Sequence, residues 1–196
     1  MNVAFGLKAH SGWAALVVLG QQNDKYVVVD RRRIELVESE SQKQPYHAAE
    51  NLRPEAAREV VRRGIAVAQR MARQEMREAI RRERDRKNEV AGCGVLVSDP
   101  MPDWSVEEIL AVHFRMHKAE GVLFRDVLVR AANSCELRLV AIPEKQLIDH
   151  AITKLATSQR DLLTQLSTLG KSVGPPWGKD QKEATLAAMI ALNEVE

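Results

Sequence analysis

The sequence predicts an α/β protein, a single domain spanning residues 1–196 with a mixed five-stranded sheet flanked by helices. Three observations carry this. Residues 3–19 are two apolar runs joined by a small polar turn, the pattern of a β-hairpin. A long segment beginning near residue 52 repeats apolar residues every three or four positions, as an amphipathic helix does. Further short apolar runs then alternate with helical stretches, the arrangement of a sheet with helices packed on it. The 196 residues suffice for one well-cored domain and are few for two.

Taken in order, the hairpin of residues 3–19 is apolar enough to enter a largely buried sheet. Its single charge is Lys8, near the C-terminal end of the first strand, where side chains of a central strand meet a ligand crevice. Residues 26–37 are strand-like at both ends and carry Asp30, Arg31, Arg32 and Arg33 in the middle, as an edge strand can. Residues 38–51 are mostly polar and include Pro45, which predicts a loop.

The long helix starts at residues 52–55, with Pro54 suited to its first turn. Val61, Ile65, Ala68, Ala72, Met76 and Ile80 form its apolar stripe despite Gly64. From Arg53 to Lys87 the rest of its surface is rich in arginine. Arg62, Arg70, Arg73, Arg77 and Arg81 are the candidate contacts to nucleic-acid phosphates. The plainer reading is a solvated face whose charges pair with neighbouring glutamates at i, i+4.

Residues 90–97 read as a short buried strand whose small residues let a helix approach closely, ending at Ser98-Asp99-Pro100. Ser105-Val106-Glu107-Glu108 is a capping box. It opens a helix with Ile109, Val112, His113 and Met116 on its apolar side, divided at Gly121 from a continuation through Val127 and Leu128. Residues 137–142 form a strand closed by Pro143. Residues 145–169 are helical, in two pieces, and 170–178 are a loop. From Lys179 a last helix buries Ala184, Ala187, Ala188 and residues 190–192.

Composition removes some function classes. No apolar run reaches the roughly eighteen residues of a membrane span, and the start lacks the basic segment and cleavage site of a signal peptide, so a cytoplasmic protein is expected. A net charge of +2 names no partner, and aromatics at 4% leave few rings on which bases could stack. Cys93 and Cys135 have neither zinc-site nor disulfide spacing and read as buried free thiols. His113 and His117 have the i, i+4 spacing of helix metal ligands without a zinc protease's glutamate, so packing and surface roles are expected. Gly170-Lys171-Ser172 lacks the first glycine of a phosphate loop, where this chain has Gln165.

Gly6-Leu7-Lys8-Ala9-His10 resembles the opening strand of the ribonuclease H-like superfamily, most closely of the RuvC-type Holliday-junction resolvases, where the strand ends in Gly-Ile-Asp-Pro-Gly. The segment 118–147, a helix with an internal glycine leading to a strand, Pro143 and Lys145, is similar to a resolvase segment. So is Lys179-Asp180-Gln181-Lys182-Glu183-Ala184, set against the family's last helix with its Asp-x-x-Asp-Ala. The resemblance implies a ribonuclease H-like fold in which acids from the first strand, the fourth strand and the last helix hold two metal ions for phosphodiester hydrolysis.

Carried over, the first acid is replaced by Lys8, the second maps to Ser98 or Asp99, and the last pair maps to Asp180 and Glu183. An ammonium cannot ligate Mg²⁺ or Mn²⁺, so metal binding is expected to be weak or absent. The leading expectation is a RuvC-like, nucleic-acid-associated domain with a degenerate active site, paired as a homodimer like its resolvase relatives. Two alternatives stay open: a metal-dependent nuclease using Asp99, Asp180 and Glu183, and a scaffold protein whose long helix packs on another subunit. If the fold holds, Lys8 points towards Asp180 or Glu183 and forms a salt bridge in the space a metal would fill.

Overall fold

The computed structural model describes residues 1–23 and 25–194. Three antiparallel strands open the chain: β1 (Asn2–His10), β2 (Trp13–Gln22) and β3 (Lys25–Glu35). Gly12, at φ +81°, supplies the left-handed conformation of the first turn. Two further strands, β4 (Glu89–Val97) and β5 (Leu139–Pro143), run parallel to β1, giving the sheet order β3-β2-β1-β4-β5. The charged third strand is indeed an edge. Its Arg31 guanidinium donates to the carbonyls of Val173, Gly174, Pro175 and Pro176, which covers that edge with the segment before the last helix.

Strand β1 sits in the middle of the sheet, and its side chains alternate between two cores. Val3, Phe5, Leu7 and Ala9 face the long helix α2 (Pro54–Asp85) and α4 (His113–Ser134), together with Ala68, Ala72, Met76, Phe124 and Leu128. On the opposite face lie α5 (Leu147–Lys154), α6 (Gln159–Val173) and α7 (Lys179–Asn193). The β1 residues on that side are Ala4, Gly6, Lys8 and His10.

This alternation sets the register of α7. Ala4 packs with Ala191 and Leu192, a Cβ on Gly6 would overlap the Ala184 carbonyl, Lys8 bonds Glu183, and His10 meets Asp180. The helix therefore runs antiparallel to the strand. Six strand residues cover about 20 Å and the eleven helical steps from residue 180 to 191 about 17 Å, so the two stay matched along their whole contact. Gly94 and Gly92 on β4 continue the same glycine-lined bed, where added Cβ atoms would crowd Ala187 and Ala191.

Several elements differ from the sequence-based expectation. The polar stretch 38–51 contains α1 (Pro45–Ala48) and a 3-10 turn at Glu40–Gln42, because Tyr46 and Ala49 are buried against the N-terminal half of α2. The capping box on Ser105 forms, but its helix α3 (Val106–Leu110) is only five residues long. The break falls at Val112 rather than at Gly121, and α4 runs unbroken through that glycine. Val112 and His113 are consequently exposed, while Ile109 and Met116 are buried as expected. The helix read to Leu169 continues as α6 to Val173.

Cys93 is fully buried, and burial pushes its thiol pKa up to about 12; Cys135 is half-buried, and both are free. No helix among the described residues is long and apolar enough to cross a membrane.

Candidate functional site

Lys8 is 5% exposed, and an ammonium that far from water requires partners. It has two: its Nζ donates to Glu183 Oε2 on α7 and to Glu144 Oε1, 2.6 Å away. Glu144 follows β5 directly, and its second oxygen accepts from Arg125 Nη2 of α4 at 2.7 Å. Lys179 stands 3.6 Å from the other oxygen of Glu183. Four elements thus converge on one chain of alternating charges at the C-terminal ends of the parallel strands, where open α/β sheets form their crevices.

The electrostatics lock both ends of the pair. Burial raises the pKa of Glu144, but hydrogen bonds from Arg125 and Lys8 outweigh it and hold the carboxyl at about 2. Burial likewise lowers the pKa of Lys8, and the bonds to Glu144 and Glu183 more than reverse this, leaving the ammonium above its ordinary range.

The remaining acids assigned from the sequence are engaged elsewhere. Asp180 lies 3.0 Å from His10 Nε2, close to the ring but not aligned as a hydrogen bond. The His10 ring itself stacks on Trp13 at 4.3 Å. Asp99 is exposed and accepts from Lys145 at 2.5 Å, which holds its pKa below the usual carboxylate range. Ser98 and Asp99 both line a pocket of about 550 Å³ beside the network. Of the two acids offered as partners for Lys8, Glu183 takes that place and Asp180 does not.

Sequence reasoning missed Glu144 and Arg125. Pro143 and Lys145 carry part of the resemblance, and the available signal is the acid between them, directly after a strand that ends at the crevice.

The set is a poor cage for the two divalent ions of a ribonuclease H-like site. Mg²⁺ and Mn²⁺ need several free oxygen ligands, whereas each of Asp99, Asp180, Glu144 and Glu183 faces a basic side chain, with the Lys8 ammonium between the last two.

The pocket offers other chemistry. Phe114, 72% exposed, stands at it with Lys118, Lys145, Lys179 and Arg125, opposed by Asp99, Glu144 and Glu183. That is an aromatic face beside a small excess of cations. On α2, Arg70, Arg73, Arg77 and Arg81 share a shallow exposed furrow with Glu78. Arg62 lies two turns before Arg70 and is held by Glu59, which it shares with Arg63. Arg70 pairs with Glu38, and Arg81 lies 3.8 Å from Glu78. Among the described residues no carboxylate lies within ion-pair range of Arg73 or Arg77.

No protein-family model matches the chain, and no curated protein matches it by sequence. Solved structures do. The structure of Thermus thermophilus RuvC aligns with a TM-score of 0.51 at 10% identity, over 96% of this chain and 92% of that one. T. thermophilus RuvC in complex with a Holliday junction substrate aligns with a TM-score of 0.52 at 10% identity, over 97% and 92%. The fold is RuvC-like. The mixed five-stranded sheet and its flanking helices are the ribonuclease H-like architecture that the resemblance implies, and Lys8 lies on its central strand facing the last helix.

Proposed function

We propose that the chain is a RuvC-like nucleic-acid-binding protein whose metal position is closed by the Lys8 network, so that it holds nucleic acid without hydrolysing it. The observation that carries the proposal is Lys8 seated between Glu144 and Glu183 beside a pocket that presents Phe114 and several cations. A base can stack on Phe114 while Lys118, Lys145 and Lys179 meet phosphates. Arg73 and Arg77 extend the contact along α2, and Mg²⁺ or Mn²⁺ binds weakly or not at all at the closed position. The expected assembly is a homodimer; sedimentation showing only monomer at micromolar concentration would remove that part.

Fluorescence anisotropy with a labelled four-way DNA junction and an RNA hairpin tests the binding. Affinity should fall steeply with salt, and the paired change Arg73→Ala and Arg77→Ala should lower the slope against log salt by about 2. Phe114→Ala should cost about 1–3 kcal/mol of binding. No binding of either probe at low salt would end the proposal. It would leave the scaffold reading, which the doubly paired Glu59 and Glu78 on α2 favour, since charges satisfied within a helix ask little of a phosphate.

A further inference from the structure

His113 and His117 acquire in the fold a third partner that lies far away in sequence. His47, on α1, brings a ligating nitrogen to the same spot, and the three candidate ligand atoms lie within 4.8 Å of one another. The rings of His113 and His117 meet with their Nε2 atoms 3.0 Å apart, and the His47 ring lies 4.7 Å from that of His117. An apolar floor that includes Tyr46, Ala49, Met116 and Ala119 fixes α1 against the first turns of α4, so the convergence is built into the packing.

Beneath the cluster is Glu120, only 3% exposed, which accepts from the His47 backbone N–H at 3.2 Å and faces His47 Nδ1 at 2.9 Å. A buried carboxylate there makes Nδ1 the protonated nitrogen and leaves Nε2 with the free lone pair. This is the carboxylate–histidine support that orients metal-bound imidazoles. His113 and His117 are exposed, which gives an ion an open approach.

We infer that His47, His113 and His117 form a binding site for a divalent transition metal, best suited to Zn²⁺, with Glu120 orienting His47. Three neutral imidazoles suit zinc and its neighbours and not Mg²⁺, which selects oxygen. Zinc–nitrogen bonds of about 2.0–2.1 Å in a tetrahedron require nitrogens about 3.3 Å apart. His113 and His117 already bring their Nε2 atoms to 3.0 Å, so binding requires only that the remaining spread, under 4.8 Å, contract by side-chain rotation. The fourth position stays free for water. The site is on α1 and α4 and shares no ligand with the Lys8 network, so it stands or falls independently of the proposed function.

Zinc titration calorimetry on untagged, chelator-treated protein tests it, with Co²⁺ visible absorption as the report on tetrahedral geometry. One equivalent should bind, unaffected by excess Mg²⁺, and raise the melting temperature. His113→Ala and His117→Ala are at exposed positions that leave the core intact. Each should weaken binding by at least about a hundredfold, beyond the ten- to hundredfold typical of an outer-shell change. His47→Ala should do the same, and Glu120→Gln should fall within that outer-shell range, with circular dichroism confirming that the variants fold. Absence of stoichiometric uptake by the natural protein would overturn the site, as would unchanged affinity in folded His47→Ala or in the doubly substituted His113→Ala, His117→Ala protein.

Discussion

Lys8→Ala is expected to destabilise the protein by about 2–3 kcal/mol, because it leaves two partly buried carboxylates facing each other without the cation between them. Glu144 keeps Arg125, whereas Glu183 keeps, among the described residues, only the more distant Lys179, so the loss falls mainly on Glu183. Mg²⁺ or Mn²⁺ should restore part of the stability in this variant, since the space between the two carboxylates then accepts a dication.

The effect has a defined pH window. Glu144 has a pKa lowered to about 2, so its contribution is complete above the unfolded value of about 4.3 and is lost as pH falls towards 2. Lys8 has a raised pKa, so its contribution is complete below about 10.4 and is lost as pH rises through the folded value. The gap in melting temperature between the natural protein and Lys8→Ala should therefore be widest between about pH 5 and 10 and shrink below pH 4. A gap that stays constant down to pH 2.5 would show that the ion pairs contribute little.

Gly6→Ala should cost about 3 kcal/mol or more, a large penalty for one methyl group. Its Cβ would run into the Ala184 carbonyl and lie 2.7 Å from the Ala188 backbone nitrogen, so relief requires α7 to move bodily off β1 rather than a side chain to rotate. Overpacking normally costs about 1–3 kcal/mol where side chains can adjust. Moving α7 would also draw Glu183 away from Lys8. Gly121→Ala on α4 is the internal comparison. There an added Cβ meets only Arg125 Nη1 at 3.7 Å, and the helix should gain up to about 1 kcal/mol from propensity. Chemical denaturation distinguishes the two; a cost below about 0.5 kcal/mol for Gly6→Ala would contradict the packing of α7 on the strand.

The elements that could be read from the sequence are those whose own pattern specifies their surroundings. The hairpin's continuous apolar character marks a central, doubly covered β1, and the arginines of β3 mark an edge. The small residues of β4 announce a closely packed helix. Lys8, a lone charge in an apolar strand, is conspicuous for the same reason, while its direction towards the last helix rests on the resemblance to the resolvases and not on any local pattern. Glu144 gave no such local signal. It is 136 residues from Lys8 and reaches it only because β5 pairs parallel with β4, a contact that no periodicity encodes.

His47 was hidden in the same way, in a polar stretch that read as a loop, while the i, i+4 spacing of His113 and His117 displayed two of the three rings. The helix α4 runs through Gly121 for a different reason. Gly121 costs a helix about 1 kcal/mol, which the burial of Leu123, Phe124, Val127 and Leu128 on the following turns readily exceeds.

Whether this RuvC-like fold binds nucleic acid with its metal position closed, as proposed, is tested most directly by a cleavage assay on a probe already shown to bind. With Mn²⁺ and a saturated four-way junction or RNA hairpin, the natural protein should leave the probe intact over hours, and Lys8→Asp should be the change through which any cleavage appears. Mn²⁺-dependent cleavage by the natural protein that disappears on Asp180→Asn would contradict the claim and establish the reduced acidic site of Asp99, Asp180 and Glu183 as an active one.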